Sequence, residues 1–184
     1  MTEPKRFMIG IAGAHGAAPV FAIDAACTGP VAKRFYWSIS EVDHAYVCRI
    51  DRGIAQLYVC AVVQCLMHTE RSYTELLNAC NLCVYMFSAD QEIFTNNLVS
   101  DFEPFMRAYQ ASTCRPPLAA VINESRPLSP HERLNPERVR AVMPEGAPIM
   151  NTMFRYPAEP EGSVHFLTFV DALFHAFTPV PGSS

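Results

Sequence analysis

Two uninterrupted apolar runs, Leu82-Cys83-Val84-Tyr85-Met86-Phe87 and Leu118-Ala119-Ala120-Val121-Ile122, constrain this chain more than any other feature. A strand with one wet face alternates apolar and polar residues, whereas a short run without alternation has both faces covered. Strands of that kind belong to parallel sheets, whose crossover connections lay helices on the two faces. The segment between the runs fits that role: Ile93, Phe94, Leu98, Phe102, Phe105 and Met106 recur at helical spacing, which predicts a helix over 91–109. Pro104 removes a backbone donor inside it and predicts a kink.

The remaining segments follow the same alternation. Phe7 to Gly13 reads as a strand entering a glycine-rich turn, and Pro19 suits the first turn of a helix over 19–27 that Thr28-Gly29-Pro30 stops. Residues 31–43 show no regular pattern. His44 to Asp51 and Ile54 to Val63 are strand-like, and Asp51-Arg52-Gly53 between them signals an antiparallel hairpin. A short helix over 73–79 follows a loop at 64–72. Beyond Ile122 come an arginine-rich helix over 130–143, a last strand over 148–154, a Pro/Glu/Gly loop at 155–163 and a final helix over 164–177. The expected fold is therefore α/β: a mostly parallel six-stranded sheet with one antiparallel strand from the hairpin, between two helical layers. One domain over 1–178 and a short tail over 179–184 account for the 184 residues.

Composition narrows the functional classes. The formal net charge of −4 supplies no basic field for nucleic acid or an anionic membrane. No apolar run reaches the roughly 20 residues needed to span a bilayer. Seven cysteines form no repeating framework, which suggests reduced thiols and a cytoplasmic, reducing location.

The element order and loop placement resemble those of the Ras-like small GTPases over nearly the whole chain. That resemblance implies a three-layer P-loop GTPase-like fold, and it shows what chemistry is missing. A phosphate-binding loop of this family reads G-x-x-x-x-G-K-[ST], with amides cradling phosphate, a lysine on the terminal phosphates and a hydroxyl on magnesium. The matching stretch is Ile11-Ala12-Gly13-Ala14-His15-Gly16-Ala17-Ala18-Pro19: the last glycine is present as Gly16, the first is Ile11 unless the loop shifts by one residue, the lysine is Ala17, and the hydroxyl residue is Ala18. Gly13 and Gly16 therefore read as closing a tight strand-to-helix turn. Only two lysines exist, Lys5 and Lys33, so no shift of register restores the motif. The D-x-x-G motif has no match in Val62-Val63-Gln64-Cys65-Leu66-Met67. The guanine-reading N-K-x-D becomes Asn123-Glu124-Ser125-Arg126, which places a cation where a carboxylate grips the base, and the S-A-K motif has no match in Asn151-Thr152-Met153-Phe154. Each lost charge-assisted contact costs about 2–4 kcal/mol.

The expectation is a pseudo-GTPase of the kind seen in centromere protein M and the dynein light intermediate chains. Such a protein is a non-enzymatic scaffold with protein partners, no GTP, no cofactor and no metal. Two alternatives stand beside it: a nucleotide switch with an unorthodox pocket around residues 13–18, and a flavodoxin-like domain with an all-parallel sheet.

Other groupings carry less. Cys60, Cys65, His68, Cys80 and Cys83 include a C-x2-C pair, but small buried thiols inside strands are ordinary core residues. Cys65 and His68 lack an orienting carboxylate for nucleophilic catalysis. Asp90 follows an expected strand, where a lone acid caps the next helix. Two surfaces are candidate protein interfaces. One is Phe35, Tyr36 and Trp37 behind Lys33 and Arg34, where the family has its switch I loop. The other is a second apolar stripe of Leu167 and Phe174 on the final helix.

Overall fold

The computed structural model describes residues 5–13, 17, 19, 32–38, 44–52, 55–62, 70–154, 168 and 171–173. Among them one sheet runs through β1 (Lys5–Gly13), β2 (Ala32–Ser38), β3 (His44–Arg52), β4 (Ala55–Val62), β5 (Leu82–Ser88), β6 (Leu118–Asn123) and β7 (Ile149–Thr152). Their order across the sheet is β2-β3-β4-β1-β5-β6-β7. Neighbours from β4 through β7 pair in parallel. β3 pairs antiparallel with both β2 and β4, so it alone runs against the others.

The hairpin and the parallel body match the sequence reading, but the strand count does not. The sheet has seven strands where six were expected, and the seventh is the segment read as an irregular loop. Residues Ala32–Ser38 pair with β3 from Ala32↔Ile50 to Ser38↔His44. Three consecutive aromatics fit a pleated surface, and two cations are tolerated where a strand lies at a sheet edge. Lys33-Arg34-Phe35-Tyr36-Trp37 lacks apolar–polar alternation because all its residues but Phe35 combine apolar stems with polar tips, so periodicity did not reveal it.

Four helices are described: α1 (Glu70–Ala79), α2 (Gln91–Asn97), α3 (Glu103–Ala111) and α4 (Pro136–Val142), with a π-helical turn, Leu98–Phe102, joining α2 to α3. Pro104 explains that turn. It has no N–H to give, and its ring crowds the carbonyl one turn back. The helix absorbs this by widening, and Glu103 N–H bonds Leu98 O five residues back. The expected kink thus takes the form of a π turn. α4 is shorter than the 130–143 helix expected, because Pro136 holds Asn135 extended and the helix can begin only after it. Asn135 then caps it, accepting a bond from Glu137 N.

Every position of β5 and β6 is buried, so both faces of the sheet's centre are covered. On one face Ala12, Cys83, Tyr85, Phe87, Leu118, Ala120 and Ile122 meet Tyr73, Leu76 and Leu77 of α1, Phe94, Phe102 and Phe105 of the following helical run, and Val139 of α4. Gly10 lets α1 approach closely: a Cβ there would lie 3.1 Å from Cys80 Sγ and from Leu76. Thr168 and Asp171–Leu173 are helical, as the final-helix reading requires, and Leu173 is fully buried. No described helix is long and apolar enough to cross a membrane.

Tyr85 is the centre of the aromatic core, with ring centroids 4.7 Å from Phe105, 4.8 Å from Phe87 and 4.9 Å from Phe102. Burial, with Tyr73 and Asp101 nearby, pushes its phenol pKa up. Its hydroxyl finds no hydrogen-bond partner among the described residues, and a buried unmet hydroxyl opposes folding. Tyr85→Phe keeps the ring and removes that cost. It should raise stability by about 0.5–2 kcal/mol, measured by urea denaturation.

Candidate functional site

Open α/β sheets take ligands beyond the carboxyl ends of their strands, where successive connections leave in opposite directions. Here β1 leads to β2 on one side of the sheet and β5 leads to β6 on the other, so the crevice lies at the ends of β1 and β5. Gly13 ends β1, Ser88 ends β5, Asn123 ends β6 and Thr152 ends β7.

Gly13 is a packing residue. A Cβ there would stand 3.0 Å from Met86 O and 3.3 Å from Pro19 Cγ, so only glycine lets the strand end and the following helix start meet. Ala17 is fully buried. Gly16 and Ala18 lie outside the described residues.

Asn123 is fully buried, and its side chain is used to capacity. Its Nδ2 donates to Ala17 O at 2.9 Å and to Phe154 O at 3.1 Å. Its Oδ1 accepts from Phe154 N at 2.7 Å and from Thr152 Oγ1 at 3.1 Å. A carboxamide has two donors and two lone-pair sites, and all four are filled by the chain itself. The turn after β1, the end of β6 and the segment after β7 are thereby tied together.

The segment after β6 then folds back across the segment after β5. Ala89 N donates to Asn123 O, Leu134 N to Ala89 O, and Gln91 N to Glu132 O, at 2.8–2.9 Å. Side chains reinforce this closure. Asp90 accepts from Glu92 N and Ile93 N as the cap of α2, which is the structural role the sequence suggests. Its other oxygen takes Arg126 Nη2 at 2.6 Å, and the same nitrogen reaches Glu132 Oε1 at 2.9 Å. Glu132 also accepts from the Ser129 amide and hydroxyl. Behind this arch Arg133 pairs with the mostly buried Glu124 at 3.1 Å. Arg126 thus sits between two carboxylates of its own chain. The Ser129 bonds, then Arg126, hold the Glu132 carboxyl down to about 2.

A cavity of about 790 Å³ lies beside this arch toward β7, lined by Ile122, Leu134, Met150, Thr152, Glu124 and Arg133 among others. Its two charged walls, Glu124 and Arg133, are engaged with each other.

The thiol readings resolve partly. Cys80 and Cys83 are buried and carry no disulfide, and among the described residues no three potential metal ligands gather. Cys60 belongs to β4, while Cys65 and His68 lie outside the described residues. Phe35, Tyr36 and Trp37 lie in β2, which corrects the reading of their segment as an irregular loop. Leu167 and Phe174 lie outside the described residues. Sequence reasoning missed Ala17 O, Thr152, Phe154 and Glu132. Only the last left a signal, since Ser129-Pro130-His131-Glu132 has capping-box spacing. No protein-family model matches the chain, and no curated protein matches it at a significant level.

Two outcomes follow from this geometry. Asn123→Ala leaves the Phe154 amide and two carbonyls unmet, and should cost about 2–4 kcal/mol in denaturant melts. For Glu132, the folded-state pKa lies below the unfolded one. Its contribution to stability is therefore full above about 4.5 and is lost as pH falls from there through about 2. Acid titration followed by circular dichroism should show a shallower loss of stability over that window in Glu132→Gln.

Proposed function

We propose that this protein is a non-enzymatic scaffold or adaptor subunit built on a degenerate, Ras-like pseudo-GTPase domain. The observation that carries the reading is the saturation of Asn123. The residue that would help read a guanine base is instead a four-bond tie between three segments of its own chain. Ala17 in the lysine position and Arg126 locked between Asp90 and Glu132 support the same reading. So does the antiparallel β3–β4 hairpin, which separates a Ras-like order from an all-parallel flavodoxin-like sheet. A Ras-like domain whose loop sequence lacks the lysine and hydroxyl would act through its surfaces, with proteins as its ligands.

Calorimetric titration of the purified chain with GTP, GDP and ATP in magnesium tests this. The expected result is no binding at ligand concentrations up to about 1 mM, which means a binding energy weaker than about 4 kcal/mol. Micromolar binding, or stoichiometric nucleotide released on denaturation, would instead make the 13–18 turn a working site.

A further inference from the structure

We propose that β2 is a self-association edge, along which two copies of this chain pair antiparallel about a two-fold axis centred on Phe35. This goes beyond the adaptor reading and does not depend on it, since the edge would pair equally in a nucleotide-binding switch.

β2 stands last in the strand order, so only one of its two backbone edges meets a strand among the described residues. A row of unpaired N–H and C=O groups is a template for another strand. Natural edges are often protected by lysine, and β2 carries both Lys33 and Arg34. What matters is what those cations face. Within the chain the register sets Lys33 opposite Arg49 and Arg34 opposite Cys48, and no residue of β3 opposite β2 is acidic. Like charges directly opposite each other oppose pairing, so the register with β3 gives Lys33 and Arg34 no acidic residue opposite them.

The sequence of β2 supplies the complement itself. When two copies run antiparallel about Phe35, Lys33 stands opposite the second copy's Trp37, Arg34 opposite its Tyr36, and Phe35 opposite its own equivalent. Each cation then stands opposite one aromatic residue, and the two-fold repeats both pairs, giving four across the seam. Other pairings lose this match. Centring on Arg34 sets arginine against arginine, and parallel in-register pairing sets lysine against lysine. The order cation, cation, aromatic, aromatic, aromatic is therefore self-complementary in one register, which selects a second copy over an unrelated strand. Such an interface is isologous and closes at two chains.

Sedimentation equilibrium on the full chain in reducing buffer tests this, over about 1–200 µM, the range suited to a small edge-to-edge interface. Wild type should show a reversible monomer–dimer equilibrium. Trp37→Lys sets two lysines opposite each other across the seam and should raise the dimer dissociation constant at least about tenfold. Lys33→Trp/Trp37→Lys exchanges the two partners and should restore it to within about threefold of wild type. Lys33→Glu guards against a folding artefact. It puts an anion opposite Arg49 inside the chain, so thermal stability should hold or rise, while dimerisation weakens by about fivefold or more. A monomer at every concentration would overturn the proposal, with the edge covered by the chain's own remaining residues. A dimer indifferent to Trp37→Lys and Lys33→Glu, or a double variant that fails to recover, would overturn it too.

Discussion

The buried carboxamide of Asn123 is the point on which the carboxyl edge of the sheet depends. Four hydrogen bonds converge on one side chain with no access to water, and they join segments 31 and 106 residues away in sequence. A buried amide is costly unless every donor and acceptor is met, so the position is all-or-none: fully paired it fixes three segments, and partly paired it destabilises them. That stringency sets where the turn after β1 lies relative to β6 and β7. It also leaves the amide no capacity for a ligand.

The Asp90–Arg126–Glu132 arch continues the same logic at the surface. A guanidinium in a ligand crevice ordinarily calls for an anion. Here the anions are supplied from within, by the cap of α2 and by the turn at Ser129–Glu132, and backbone bonds between the post-β5 and post-β6 segments hold the arch in register. The Arg126–Glu132 pair is exposed and adds little to global stability, while Asp90 is buried beneath the guanidinium. Their consequence is local: the Arg126 charge is neutralised by its neighbours.

The parallel body of the sheet was legible because its physics is local to the sequence. Leu82–Phe87 and Leu118–Ile122 are apolar at every position because both faces are covered, and the Asp51-Arg52-Gly53 turn marks the hairpin. β2 was hidden because Lys33, Arg34, Tyr36 and Trp37 are amphipathic and an edge strand imposes no alternation. The extent of α4 was misread because Ser129 and Glu132 do start a capped turn, which Pro136 then interrupts. At the site, Ala17 and Arg126 could be singled out from the sequence. The partners of Asn123 were not, since two of its four bonds go to backbone carbonyls and one comes from a backbone amide, and neither group has a sequence signature.

Hydrogen exchange resolved to single amides, in the free protein and with saturating GTP and magnesium, tests closure of the crevice by the chain itself most directly. Closure predicts that the Phe154 backbone amide and the Asn123 side-chain amide are already protected in the free protein, and that GTP changes neither. Rapid exchange at these groups in the free protein, with protection gained on adding GTP, would contradict it.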